Sequence, residues 1–202
     1  HVGGPKGGLR RGRAVDTQVS RLAKVSEAAR REAKMLKLTR LTFDALNYHQ
    51  LVPVGSQRVV LDRARRIGTA VDVVCTRGAH ELVLVELKCG FVGNRAASAG
   101  TKFQAPCTKA KDSALHRHFA QLAVTLQLFE RETSTLAKLA TKGIDRVSGV
   151  LLYVDDGAMK GAPSAVLLYL LEIDNFADVD PTIDPAMQAQ ALQAQAQALQ
   201  VQ

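Results

Sequence analysis

Gly68-Thr-Ala-Val-Asp72-Val-Val-Cys75 and, after a short turn, Leu82-Val-Leu-Val-Glu86-Leu-Lys88-Cys-Gly90 place three ionisable side chains inside runs that otherwise read as buried strands. Burying a charge without a partner is expensive, so Asp72, Glu86 and Lys88 need each other or something that arrives from outside. Successive side chains of a strand alternate faces. Leu82, Leu84, Glu86 and Lys88 therefore share one face, and Val83, Val85 and Leu87 the other. Both faces are apolar until the strand ends, which is the pattern of a central strand covered on each side. In the first run Ala70, Asp72 and Val74 share a face opposite Val71, Val73 and Cys75. A hairpin closed by 76–81, with Gly78 as its turn residue, makes the two strands antiparallel neighbours and brings Asp72 beside Glu86.

Two neighbouring carboxylates repel each other and attract a hard cation. Mg²⁺, with Mn²⁺ as its substitute, takes oxygen ligands and is commonly held by one or two carboxylates plus a substrate phosphate. Asp72 and Glu86 are the expected side-chain ligands, and the backbone carbonyl of Leu87 the expected third. Lys88, on the face of Glu86, is positioned to orient or help deprotonate an attacking water and to offset charge growing on phosphorus. The chemistry these residue types suit is in-line hydrolysis of a phosphodiester.

Asp72, a spacer, then Glu86-Leu-Lys88 resembles the PD-(D/E)xK nuclease superfamily, nearest to its RecB-like and lambda exonuclease-like branch. The resemblance implies an α/β (α+β) fold with a restriction-endonuclease-like core, a mixed central sheet flanked by helices. It also implies a Mg²⁺-dependent deoxyribonuclease acting in DNA repair, recombination or processing. In that branch a later helix carries a Gln facing the site, and Leu115-His-Arg-His118-Phe-Ala-Gln121-Leu-Ala-Val-Thr125 is similar to that helix, which makes Gln121 the fourth catalytic residue. The branch usually has Tyr four residues after the Gln, where this chain has Thr125, and the residue before Asp72 is Val71 instead of Pro. Some members also place an acid from an early helix near the metal; Glu32 is the expected equivalent, with Glu27 its rival, although an ordinary solvated ion pair explains either one.

Other readings compete. On an exposed strand Glu-x-Lys is a same-face ion pair worth roughly 0–1 kcal/mol. Its weight here comes from Asp72 in a second apolar strand and from the amphipathic helix downstream. A catalytically inactive nucleic-acid-binding module, or a structural module of a larger nucleoprotein assembly, would keep the fold and bind phosphates with steep salt dependence but without turnover.

The 202 residues carry a net charge of +8 and are 47% hydrophobic. One substantial core fits this size, and basicity favours a polyanionic partner. The resemblance favours DNA over RNA; charge does not discriminate between them. No apolar stretch is long and uncharged enough to span a bilayer, so no membrane partner is expected. Cys75, Cys89 and Cys107 lack CxxC spacing, which argues against a disulfide framework or zinc site and for a reducing intracellular compartment.

Residues 1–13 combine Gly, Lys and Arg without an acid and read as a flexible basic tail. The chain opens on His1 without Met, the expectation for a fragment or processed product. Residues 14–180 form the expected nuclease-like domain, and 181–202 an Ala/Gln-rich low-complexity tail. Within the domain, Val15, Val19, Leu22, Ala29, Ala33 and Leu36 recur at helical spacing. Between Leu41 and Pro53 the chain is mixed, with Tyr48, His49 and Gln50 read as a loop or short helix, and Gln57 to Leu61 reads as a first strand. Asp62, Arg63, Arg65 and Arg66 form either a phosphate clamp or a solvated turn. From Phe91 to Lys111 a long basic loop is expected, either functional, folding over the nucleic-acid strand, or disordered. Asp112 or Ser113 caps the next helix, which buries Leu115, Phe119, Leu122, Leu126 and Phe129 and turns His118, Gln121 and Thr125 toward the site. His116 and His118, two apart, do not share a helix face and are expected to pack or contact a phosphate rather than bind metal. Strands 147–154 and 165–173 extend the sheet, with Asp155 and Asp156 in their turn.

Overall fold

The computed structural model describes residues 5–63, 65–89, 113–155 and 165–171. Along the chain run α1 (Pro5–Leu22), α2 (Glu27–Glu32), α3 (Lys37–Tyr48), β1 (Val52–Asp62), β2 (Ile67–Arg77), β3 (Glu81–Cys89), α4 (Ala114–Glu130), α5 (Thr133–Ala140), β4 (Arg146–Asp155) and β5 (Ala165–Leu171). The basic loop 91–111, Cys107, Asp156 and the tail 181–202 lie outside the described residues.

The sheet runs β1-β2-β3-β4-β5. β1/β2, β2/β3 and β4/β5 are antiparallel, while β3/β4 is parallel. A parallel pair needs a crossover, and α4 and α5 supply it between β3 and β4. The β2–β3 hairpin forms as its spacing predicts, with Gly78 at φ +61.

Each face of the sheet has its own core. On one, Val15, Val19 and Leu22 of α1 and Leu38, Phe43 and Leu46 of α3 pack on Val73, Cys75, Val83, Val85, Val150 and Leu152. On the other, Leu122, Leu126 and Phe129 of α4 pack on Val71, Leu82, Leu84, Leu151 and Tyr153. Each such Val or Leu contributes about 1.5–3 kcal/mol when fully buried. The result is a mixed α+β sheet flanked by helices on both sides.

The N-terminal helices depart from expectation. α1 begins at Pro5, so residues 5–13 are helical and do not form a tail. Gly7, Gly8 and Gly12 each cost about 1 kcal/mol against Ala, which hides the helix from propensity. Pro is tolerated in a first turn, and the apolar stripe downstream anchors the rest. The helix also does not run on to Leu36. It stops at Leu22, and Ser26 Oγ starts α2 by accepting the Ala29 N–H at 3.3 Å. The Arg30 guanidinium takes the freed carbonyls of Leu22 and Val25 at 3.4 and 2.9 Å. The mixed stretch from Leu41 begins inside α3, which buries Leu38, Thr42, Ala45 and Leu46 at helical spacing, and Tyr48, His49 and Gln50 form the end of that helix and the turn after it, as expected.

Candidate functional site

The two central strands part at the charged residues. The last β2–β3 pair is Val73↔Val85, so Asp72 stands opposite Glu86 just where the ladder ends. Beyond it β2 stays paired to β1, and β3 stays paired to β4 as far as Cys89↔Val154. The Leu87 N–H, facing the gap, donates to Asp72 Oδ2 at 2.8 Å. A strand residue points its N–H and C=O to the same edge, so the Leu87 carbonyl is directed into the same opening.

Glu86 and Lys88 emerge on the α4 face, in step with Leu82 and Leu84 beneath α4. Glu86 is only 2% exposed. Lys88 Nζ lies 2.5 Å from Glu86 Oε1 and donates to Gln121 Oε1 at 3.1 Å. Gln121 in turn hydrogen-bonds Glu86, so its amide spans the pair. Asp72, Glu86, Lys88, Gln121 and the Leu87 backbone thus meet around one opening.

The electrostatics there are unbalanced. Burial pushes the Asp72 carboxyl up to about 7, with the Glu86 charge adding to it; the Leu87 N–H and Lys88 oppose the rise, and Asp16 adds a little more. Burial also raises Glu86 despite Lys88 and Gln121. Both groups are held as anions only at a cost, which either a proton or a cation relieves. Among the described residues no three His, Cys, Asp or Glu side chains converge into a complete metal cage. Two carboxylates and a carbonyl are nevertheless the hard-oxygen donor set that suits Mg²⁺, which keeps several waters of its own.

Asp16, on α1, is the residue the sequence reading missed. Its charge acts on Asp72, Glu86 and Cys89, and burial raises its own carboxyl against the hydrogen bond from Gln57. The early-helix acid near the site is therefore Asp16. Glu27 pairs with Arg31 on α2, and Glu32 is exposed there. In a helix counted from Val15, Asp16 looks like an ordinary first-turn acid, the place where the helix dipole favours one. Only the apolar stripe beginning at Val15 hinted that this turn faces the sheet.

The remaining expectations divide. Ser113 caps α4, accepting the His116 N–H at 3.1 Å with its hydroxyl 2.6 Å from His116 Nδ1, so His116 belongs to the cap. His118 Nδ1 lies 2.7 Å from the hydroxyl of the fully buried Tyr153, which is level with Lys88 on β4. Burial, then the charges of Lys88 and Arg117, lower the His118 imidazole to about 4, so it is neutral near pH 7. Thr125 is buried, and its hydroxyl donates back to the Gln121 carbonyl at 2.8 Å. Arg65 closes the β1–β2 turn on Asp62, which also accepts from Arg131 at 3.1 Å. Of the two readings of that cluster, the turn fits Arg65. No helix of the described residues is long and apolar enough to cross a membrane.

No family model matches this chain, and no curated protein or solved structure matches it either.

Proposed function

We propose that this chain is a Mg²⁺-dependent nuclease that hydrolyses DNA phosphodiester bonds on a restriction-endonuclease-like core of the PD-(D/E)xK kind. The observation that carries the reading is the parting of β2 and β3 at Asp72 and Glu86. It leaves a half-buried and a buried carboxylate of raised proton affinity, a carbonyl edge and an ammonium around one opening.

Asp72, Glu86 and the Leu87 carbonyl would hold the cation, with Asp16 adding negative charge behind them. When bound, Mg²⁺ (or Mn²⁺) supplies a Lewis acid for the phosphoryl oxygens and a water of lowered pKa. Lys88 holds its Nζ protons at the mouth of the same opening, where an ammonium offsets negative charge on the phosphoryl oxygens and orients the attacking water. Gln121 holds Lys88 and Glu86 in register. The basic composition favours a polyanion, and the sequence resemblance favours DNA among polyanions.

The test is a cleavage assay on linear, circular and single-stranded DNA and on RNA with Mg²⁺, Mn²⁺ or EDTA. Metal-dependent cleavage of DNA that is lost in Asp72→Ala and in Lys88→Ala is expected. Binding without turnover in every metal would leave a nucleic-acid-binding module, and turnover indifferent to both substitutions would remove this site.

A further inference from the structure

Gln57 lies on β1 between Ser56, paired with Val73, and Arg58, paired with Val71, which sets it opposite Asp72. It has φ +50, a left-handed conformation in the middle of a strand. For a residue with a side chain this costs roughly 1–2 kcal/mol, and such outliers persist only where their surroundings impose them.

The strand changes hands there. Ser56 Oγ donates to the Ser20 carbonyl of α1 at 2.9 Å, and the next residue, Gln57, also reaches α1, its Nε2 donating to Asp16 Oδ1 at 2.9 Å. Arg58 then points to the opposite side, where it pairs with Glu132 at 2.7 Å. β2 switches at the facing position: Val73 and Cys75 pack in the α1 core, but Val71 packs under α4. The switch therefore falls on the residue pair that holds the site, and it aims one amide at the Asp16 carboxylate.

We propose that Gln57 is a positioning residue: its left-handed backbone aims the amide at Asp16 and fixes that carboxylate toward the opening between β2 and β3, where it strengthens cation binding. This rests on the metal-site reading above and deepens it. Gln57 itself touches neither cation nor substrate. It acts through Asp16, as outer partners of metal sites do, and loss of such a partner typically weakens metal affinity roughly 10–100-fold.

Gln57→Gly separates the two roles of the residue, because Gly adopts positive φ freely while deleting the amide. The experiment is Mn²⁺ titration by calorimetry, with a thermal melt of each metal-free protein, on wild type, Gln57→Gly, Asp16→Asn, the double variant, Asp72→Asn and Glu86→Gln. Gln57→Gly is expected to melt near the wild type yet bind Mn²⁺ roughly 10-fold more weakly. In the Asp16→Asn background the same change should have little further effect, since both act through one contact. Wild-type affinity in Gln57→Gly, or a loss that adds in full to that of Asp16→Asn, overturns the role given to Gln57. Affinity indifferent to Asp72→Asn and Glu86→Gln overturns the metal site itself.

Discussion

Strand β3 carries a buried acid near each end, and the two are treated differently. Glu81, at its start, is 8% exposed; the Ser148 hydroxyl donates to it at 2.5 Å, and Arg77 and Arg146 lie at 3.5 and 4.0 Å. Glu86, five residues on, is 2% exposed and shares its surroundings with the Asp72 and Asp16 charges and with Lys88. At the first end two guanidinium groups and a hydroxyl surround one carboxylate, and its charge is compensated inside the fold. At the second, Lys88 is paired with Glu86, burial and the Glu86 and Asp16 charges raise Asp72, and burial and Asp16 also raise Glu86, so the carboxylates are not fully compensated. A carboxylate with its cations already beside it is a fastener between β3 and β4. A carboxylate short of cations is held as an anion only at a cost, and the proposed metal site rests on that asymmetry.

The largest expected effect is on turnover. Asp72→Ala and Lys88→Ala should each lower DNA cleavage about 100-fold or more, the range for losing a proton-handling or charge-stabilising group. Glu81→Gln should leave cleavage within a few-fold of wild type in the same assay. Equal losses at both ends would dissolve the distinction.

Stability should show the reverse order. Glu81→Ala strands Arg77 in a half-buried position and should cost about 3 kcal/mol in urea unfolding, as breaking a buried pair does. Glu86→Gln, measured in EDTA, should cost far less, because a neutral amide relieves the crowded charge.

The pH response follows from the raised Asp72 carboxyl. Folded Asp72 holds its proton up to about 7, whereas the unfolded chain releases it near 3.8. Metal-free protein should therefore lose stability as pH rises between those values, with the full penalty above about 7 and none below 3.8. The expected size is on the order of 1–2 kcal/mol, under the ~4 kcal/mol ceiling set by that span. Asp72→Asn, which keeps an acceptor for the Leu87 N–H, should flatten this slope, and saturating Mg²⁺ should flatten it in the wild type. A slope unchanged by Asp72→Asn would assign it to another group.

A smaller effect is expected between the two ends. Gly149 of β4 sits under α4, and a Cβ there would meet Leu126 Cδ1 at 2.6 Å and Leu122 Cδ1 at 3.1 Å. Gly149→Ala should cost about 1–2 kcal/mol by overpacking. It should also lower cleavage by moving α4, which carries Gln121, while Glu81 and Ser148 keep their hydrogen bond. A stable, fully active Gly149→Ala would mean that the seating of α4 does not govern the site.

Much of this was legible in the chain. Alternation in 82–88 fixes which side chains share a face, and Gly78 fixes the hairpin, so the meeting of Asp72 with Glu86 and Lys88 follows from period-two patterning and one turn. Gln121 was legible through resemblance to a helix pattern. The run of α1 back to Pro5 was not, since three glycines mask a helix that tertiary packing anchors. Asp16 was illegible for the same reason, and Gln57 because a positive φ on a residue other than Gly leaves no mark in composition.

The sequence by itself determined the local geometry: strand faces, the antiparallel hairpin, a cap at Asp112 or Ser113, and an uneven distribution of charge within apolar runs. These depend on interactions between residues near one another in the chain. Tertiary structure alone decided which acid is fastened and which is left without full charge compensation, because that turns on what arrives from far away: Ser148 and Arg146 at Glu81, Asp16 and Gln121 at Glu86. The opening itself is also tertiary. β2 parts from β3 at Asp72 and stays with β1 while β3 stays with β4, and that divergence comes from the pairing of four strands, which neither strand's sequence contains.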